Sequence, residues 1–349
     1  MQYRQLGATG LKVSRLGFGA LHINSSVGDQ QFRRMIERSA EAGINYIDTA
    51  RGYGESEGML GKALGGLREQ FVISTKSISR ELETVKKDLA LSLELLGTDF
   101  VDLYFLHDVS QPQAYERLMN QGVYEYLSQV REQGLIRHIC MSTHNLEIAK
   151  RTIASGDFAC IMLGYNLSDR SVEAEVLRLA AEAQVGTVIM KPLGGGVLCG
   201  ERGKQHGVEI AARDLIRFTL SHECVDTVIP GVDRFEYLQE CIRAEEMPPL
   251  SRAERKRLTK EVEALGTDFC RGCAYCEPCA NDVGIREIMQ LYSRYRVFQG
   301  VNWQATFAIK QQLGAYADQA RECEACKECV QRCPFDLPIA DVMNKIASS

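Results

Sequence analysis

Eight short apolar runs recur through the first 245 residues, at positions 13–18, 45–49, 71–76, 101–107, 138–142, 160–164, 187–191 and 227–231. A longer stretch of helical periodicity follows most of them. In residues 29–42, for example, Phe32, Met35, Ile36 and Ala40 share one face. Eight strand-plus-helix units in about 250 residues is the arithmetic of a TIM (β/α)8 barrel. A doubly wound open sheet is the alternative, but no Gly-x-Gly-x-x-Gly follows the first strand. Residues 3–12, with Gly7 and Gly10, read as a hairpin closing the bottom of the barrel.

A second constraint lies beyond the barrel. Eight of the 13 cysteines fall in two runs, Cys270-x2-Cys273-x2-Cys276-x2-Cys279 and Cys323-x2-Cys326-x2-Cys329-x3-Cys333-Pro334. The second is the bacterial iron–sulfur pattern, in which the last cysteine ligates the other cluster. Two [4Fe-4S] clusters are expected. Cys270, Cys273 and Cys276 would share one with Cys333, and Cys323, Cys326 and Cys329 the other with Cys279. Closure of a cluster within its own run is the alternative, because the first run has Ala280 where proline is usual. A four-thiolate zinc site fits four consecutive evenly spaced cysteines poorly.

Residues 284–321 between the runs read as helix, with Ile285, Ile288, Met289 and Tyr292 on one face. The fold class is therefore α/β, a TIM barrel (residues 1–250) followed by a small, mainly α-helical, ferredoxin-like iron–sulfur domain (residues 251–349). Residues 243–250 read as linker, and Ser251 as the N-cap of a charged helix with Glu254 three positions on.

A net charge of −5 argues against phosphate-backbone binding, so no nucleic acid is expected. No membrane span is expected, and the opening residues lack the apolar core of a signal peptide. A cytoplasmic location follows, where clustered cysteines serve as metal ligands rather than disulfides. Cys140, Cys160, Cys199, Cys224 and Cys241 are scattered and read as small buried apolar residues.

Reacting groups of a TIM barrel sit at the C-terminal strand ends. Asp48, Lys76 and His107 close the second, third and fourth apolar runs, and Tyr53 follows in a loop bracketed by Gly52 and Gly54. Taken singly, each has a bland use: cap, loop residue, solvated end or core histidine. Their chemistry combines, however. An ammonium beside a phenol favours the phenolate and makes the tyrosine a better acid, a carboxylate holds the ammonium, and an imidazole can orient a carbonyl.

The stretch Asp48-Thr49-Ala50-Arg51-Gly52-Tyr53-Gly54 with Glu57, the strand end Ser74-Thr75-Lys76 and Asp102-Leu103-Tyr104-Phe105-Leu106-His107 resemble the aldo-keto reductase superfamily over residues 1–245. With the cysteine tail, the chain resembles the branch carrying a C-terminal ferredoxin-like domain. The resemblance implies reduction of an aldehyde or ketone, or the reverse alcohol oxidation. Tyr53 would be the acid, Lys76 and Asp48 would tune it, and His107 would place the substrate.

It also implies NADP or NAD held without a Rossmann fold. The carboxamide would meet Ser142 and Thr143. The pyrophosphate would meet the loop Pro192-Leu193-Gly194-Gly195-Gly196, whose glycines admit close phosphate approach, with Lys191 also cofactor-binding at the strand end before it. The adenosine end would meet Gly231, Arg234 and Glu240. The chain departs from the family pattern at Met162, where glutamine is frequent. It departs again near the seventh strand end, where Met190 or Lys191 replaces a stacking tyrosine. Gly231 and Tyr237 stand where NADP-specific members carry cations.

The competing function is an electron-transfer or redox-sensing iron–sulfur protein with a degenerate barrel. A ferredoxin or other electron-transfer protein is a candidate partner either way. Nothing in the sequence demands a flavin, although coupling hydride to single electrons normally needs one.

Overall fold

The computed structural model describes residues 1–205, 207–263, 269–272, 275–299, 303–333 and 335–348. Strands β1 (Tyr3–Gln5) and β2 (Lys12–Ser14) form an antiparallel hairpin. Eight parallel strands follow: β3 (Phe18–Gly19), β4 (Tyr46–Asp48), β5 (Val72–Ser77), β6 (Val101–Leu106), β7 (Ile136–Thr143), β8 (Cys160–Gly164), β9 (Gly186–Met190) and β10 (Thr227–Ile229). They pair in chain order. Parallel neighbours need a crossover, and helices supply it.

Backbone hydrogen bonds close the ring. Gly17 N–H donates to Val228 O at 2.8 Å, Gly19 N–H to Pro230 O at 3.0 Å, and Val232 N–H to Gly19 O at 3.1 Å. A Cβ at Gly19 would stand 2.7 Å from Pro230 O, so only glycine lets the two ends approach. Leu6 of the hairpin packs with Val13, Tyr46, Leu103, Phe105, Cys140, Cys160, Met162, Val188 and Ile229 as a solvent-free interior. Such a filled interior is what a barrel of eight strands permits.

Three expectations for residues 1–250 are corrected. The apolar run 13–18 is not one strand: it divides between β2 of the hairpin and β3, with a bend at Arg15 between them. Residues 13–18 are almost all buried in both roles, which made them read as continuous. In the helix Asp29–Glu41, Phe32, Met35 and Ile36 are buried, but Ser39 rather than Ala40 completes the face; its hydroxyl donates to Met35 O at 2.8 Å. Residues 243–250 are not all linker, because the helix Phe235–Glu246 extends into them.

The chain divides into two compact units, Met1–Pro192 with Arg213–Leu250, and Leu193–Ala212 with Ser251–Ser349. Residues 193–212 thus group with the C-terminal unit. That unit is helical. The helix Arg252–Glu263 opens on a reciprocal cap, Ser251 N–H to Glu254 Oε2 at 2.8 Å and Glu254 N–H to Ser251 Oγ at 3.2 Å. The stretch 284–321 forms three helices rather than one: Ile285–Phe298, Trp303–Gly314 and Ala317–Arg321. With Ile339–Ala347 they enclose a core of Ile285, Ile288, Met289, Val342, Met343 and Ile346, into which Cys270, Cys276, Cys329 and Cys333 also pack.

Candidate functional site

The strand register lines up the chemistry. Asp48 pairs with Ser74, Lys76 with Phe105, and Ser77 with Leu106, so Asp48, Lys76 and His107 leave the barrel at one end. Pairing continues past β4: Thr49 N–H donates to Ser74 O and Arg51 N–H to Lys76 O, both at 2.9 Å. The chain then turns, with Tyr53 N–H to Ala50 O at 3.0 Å and Gly54 at φ 60°, which returns Tyr53 over β5.

Lys76 has no solvent exposure and Asp48 has 3%. Lys76 Nζ donates to Asp48 Oδ2 at 2.6 Å and to Thr49 O at 2.7 Å. Asp48 Oδ1 accepts from Ser74 Oγ at 2.6 Å, and Ser74 is backed by the Tyr46 hydroxyl at 3.0 Å. The ammonium lies 4.8 Å from the Tyr53 ring centroid. Tyr53 meets His107 edge-on, centroids 5.7 Å apart at 82°. The structure brings all four residues together.

Burial opposes charge on each. It pushes Asp48 upward against the pull of Lys76 and Ser74. It works to lower Lys76, but Asp48 and then Tyr53 more than offset it, and the net direction is up. For Tyr53, burial outweighs the opposing Lys76 charge, so the phenol is raised above its ordinary value. This corrects the sequence expectation that Lys76 makes Tyr53 a stronger acid than a free tyrosine: the resting phenol holds its proton. His107 is pushed down to about 3 by burial, then by Lys76, Arg80 and Lys191, so the imidazole is neutral. Its Nδ1 has no hydrogen-bond partner among the described residues.

Two supporting residues carried no role in the sequence reading. Arg80 donates to His107 O and Asp108 O, both at 2.8 Å, holding the turn where Asp108 takes φ 52°. Glu57 is fully buried, accepts from Thr75 Oγ1 at 2.5 Å and pairs with Arg51. An acidic residue within the helix Ser56–Leu64, four of whose buried residues are apolar, was the available signal.

The residues assigned to a nucleotide are placed as follows. Ser142 Oγ accepts Asp108 N–H at 2.8 Å and keeps its own proton to donate. Thr143 Oγ1 accepts Asn145 N–H at 3.0 Å. Lys191, at φ 57°, has Nζ 3.4 Å from His144 Nε2. Gly231 pairs with Gly19, and a Cβ there would meet His22 Cδ2 at 3.0 Å. Arg234 is gripped by Asp233 at 3.0 and 3.2 Å and lies over Tyr237 at 4.6 Å; Glu240 Oε1 accepts Arg213 N–H at 3.4 Å. Met162 packs into the barrel interior, in register with Ser142 on β7.

In the C-terminal unit, Gly194, Gly195 and Gly196 take φ 60°, 69° and 83°, after Pro192 and Leu193. A Cβ at Gly195 would fall 2.7 Å from Arg271 O. Arg271 itself lies over the rings of Phe269 and Phe335, at 4.6 and 4.0 Å. It thereby ties the glycine turn to both cysteine runs.

The barrel sequence and the solved structures agree on the family. Residues 15–209 match the Aldo/keto reductase family. The chain belongs to the aldo/keto reductase family. It is 27% identical over 308 residues to the uncharacterized oxidoreductase YqkF of Bacillus subtilis, covering 76% of this chain and 95% of the relative. It is 30% identical over 224 residues to the NADH-specific methylglyoxal reductase of Escherichia coli, covering 56% and 68%. The holo form of the aldo-keto reductase AKR11C1 from Bacillus halodurans superposes with TM-score 0.64 at 26% identity, covering 74% of this chain and 96% of the other. Aldo/keto reductases use NAD(P)H, and this one is an oxidoreductase. None of the helices among its described residues is long and apolar enough to cross a membrane.

The family match ends before the cysteine runs. Cys270, Cys276, Cys329 and Cys333 are buried, Cys279 and Cys323 pack against the same core, and Cys326 is exposed. Cys273 and Pro334 lie outside the described residues. Among the described residues, no three or more His, Cys, Asp or Glu side chains converge closely enough to hold a metal ion. The runs are nevertheless stitched together. Arg332 Nη2 donates to Cys276 O at 3.0 Å and Pro278 O at 2.9 Å, and Asn281 Nδ2 donates to Glu322 O at 2.8 Å. Burial raises the Cys329 thiol, and Cys323 and Cys326 push it further. Ala325 and Lys327, on either side of Cys326, take φ 54° and 64°.

Proposed function

We propose that the barrel is an NAD(P)H-dependent reductase of aldehydes or ketones, reversible toward the alcohol, with Tyr53 as general acid. The observation that carries this is the buried Asp48–Lys76 pair beneath Tyr53. Tyr53 rests as the protonated phenol, the form a proton donor needs. When its proton passes to the developing alkoxide, the Lys76 ammonium stabilises the phenolate left behind. Asp48 and Ser74 keep Lys76 charged and placed, and neutral His107 can donate one hydrogen bond to the carbonyl oxygen.

When bound, the reduced nicotinamide supplies hydride. We assign its carboxamide to Ser142 and Thr143, the following segment to Lys191 and Pro192, and its pyrophosphate to Leu193, Gly194, Gly195 and Gly196. Gly231, Arg234 and Glu240 take the adenosine end. The Ser142 hydroxyl proton and the left-handed glycine turn fit these groups. Arg234 is already engaged by Asp233, so we read NADH as the preferred donor. The methylglyoxal reductase relative makes a small 2-oxoaldehyde the first substrate to test.

Cys270, Cys273, Cys276 and Cys279 with Cys323, Cys326, Cys329 and Cys333 would hold two [4Fe-4S] clusters, in the cytoplasm of a reducing cell. The stitched runs support this, as do the left-handed residues beside Cys326, since such turns point backbone N–H groups at anionic sulfur. The clusters would supply single-electron transfer or folding energy, and a ferredoxin is the partner class they fit. Anaerobic purification, iron and sulfide analysis, the visible spectrum and NADH oxidation with methylglyoxal test both halves. Absence of carbonyl reduction refutes the first, and zinc in place of iron the second.

A further inference from the structure

We propose that Glu57 is the positioning residue that holds Tyr53 against Lys76, an inference that rests on the reductase reading above. The segment from Thr49 to Gly54 is tied to β5 by main-chain bonds at Thr49 and Arg51 only. Beyond Arg51 the chain turns away, and Gly52 and Gly54 are exposed. Main-chain bonds hold Tyr53 within its turn, to Ala50 O at 3.0 Å and from Ser56 N–H at 3.2 Å, but none joins Tyr53 itself to the strand bearing Lys76.

Glu57 closes that gap from below. One carboxylate oxygen accepts from Thr75 Oγ1 at 2.5 Å, and Thr75 directly precedes Lys76 on β5. The other pairs with Arg51, whose guanidinium also reaches Gly54 O at 3.5 Å. The loop carrying Tyr53 is thus spanned by the Arg51 side chain, and Glu57 anchors Arg51 to the strand that carries the ammonium. Ser56 reinforces the clasp, donating to Ala20 O at 2.9 Å and lying 2.8 Å from Thr49 Oγ1.

The site therefore has two stacked ion pairs with different duties. Asp48 holds Lys76, and Glu57 with Arg51 holds the loop that presents the phenol. A fully buried carboxylate costs solvation that a loop of this size does not need for folding. A placement error of about 1 Å at a reacting group costs on the order of 100-fold in rate.

The test is Glu57→Gln, which keeps the shape and an acceptor for Thr75 but removes the charge that holds Arg51. Kinetics with NADH and methylglyoxal are expected to show kcat lowered about 10- to 100-fold with the substrate KM nearly unchanged. The Tyr53 ionisation, read as the ultraviolet titration difference between each protein and its Tyr53→Phe counterpart, is expected to move upward as the influence of Lys76 weakens. A merely structural Glu57 would lower the melting temperature and leave both the kcat and the Tyr53 titration in place, which overturns the proposal. If Glu57→Gln does not fold, Thr75→Val removes the anchor without stranding a charge and decides the same way. Wild-type protein without carbonyl reduction refutes the reductase reading alone, because the Tyr53 titration still tests Glu57.

Discussion

Lys76 Nζ stands 2.6 Å from Asp48 Oδ2, with both side chains closed to solvent. Removing one member leaves the other as an uncompensated buried charge. Asp48→Asn is expected to destabilise the barrel by about 3–5 kcal/mol, whereas Asp48→Asn with Lys76→Met costs less than either change alone. Urea unfolding of the three variants checks this. Equal, additive losses would show that the pair is not coupled.

Tyr53→Phe removes the donated proton and the hydroxyl's hydrogen bond with Lys76, while keeping the ring. Carbonyl reduction is expected to fall at least about 100-fold, with NADH affinity and iron content unchanged. Turnover and nucleotide fluorescence titration read this out. Retained turnover would strip Tyr53 of its role.

His107 gives a pH dependence with a definite sign. Its imidazole is held at about 3 in the folded chain against 6.5 when exposed in the unfolded one. Above pH 6.5 neither state is protonated and the residue contributes no slope. As pH falls from 6.5 toward 3, the unfolded chain takes up a proton that the folded chain refuses, so stability falls. His107→Gln should flatten that part of the melting-temperature profile. An unchanged acid slope would show that other groups set it.

The Arg234–Asp233 pair makes a cofactor prediction. With its guanidinium engaged by Asp233, the chain should prefer NADH, and Asp233→Asn should lower the KM for NADPH several-fold while leaving that for NADH alone. Steady-state kinetics with both donors is sufficient. A wild-type preference for NADPH contradicts it.

If the cysteine runs hold clusters as proposed, Cys329→Ser should lower iron per chain and melt the C-terminal unit selectively, since cluster binding would supply folding energy there. Arg332→Ala should act more mildly, by loosening the bonds to Cys276 O and Pro278 O. Iron analysis and thermal unfolding distinguish the two.

Much of this site was legible in advance because its residues end strands. Asp48, Lys76 and His107 each close an apolar run, and a polar residue there leaves the barrel at its functional end. β8 has the expected bounds. What escaped was what depends on three dimensions. The division of residues 13–18 falls at Arg15, whose N–H bonds Gln2 O of the hairpin while its carbonyl accepts Val228 N–H of the barrel, a contact between segments far apart in the chain. The direction of the Tyr53 shift depends on burial outweighing a visible cation. Glu57 stood in the family motif without a role, because its partners Arg51 and Thr75 are brought to it only by the fold.

Ring closure has a consequence for biogenesis. Asp48, Tyr53, Lys76 and His107 are all synthesised early, yet the seam that completes the barrel joins Gly17 and Gly19 to Val228 and Pro230. Until those later residues leave the ribosome, the nascent chain holds an open half-cylinder with its first strand unpaired along one edge. Such an edge is a template for mispairing, and pairings this distant in sequence form slowly. The short β3, only Phe18–Gly19, limits how much unpaired edge is on offer while the chain waits.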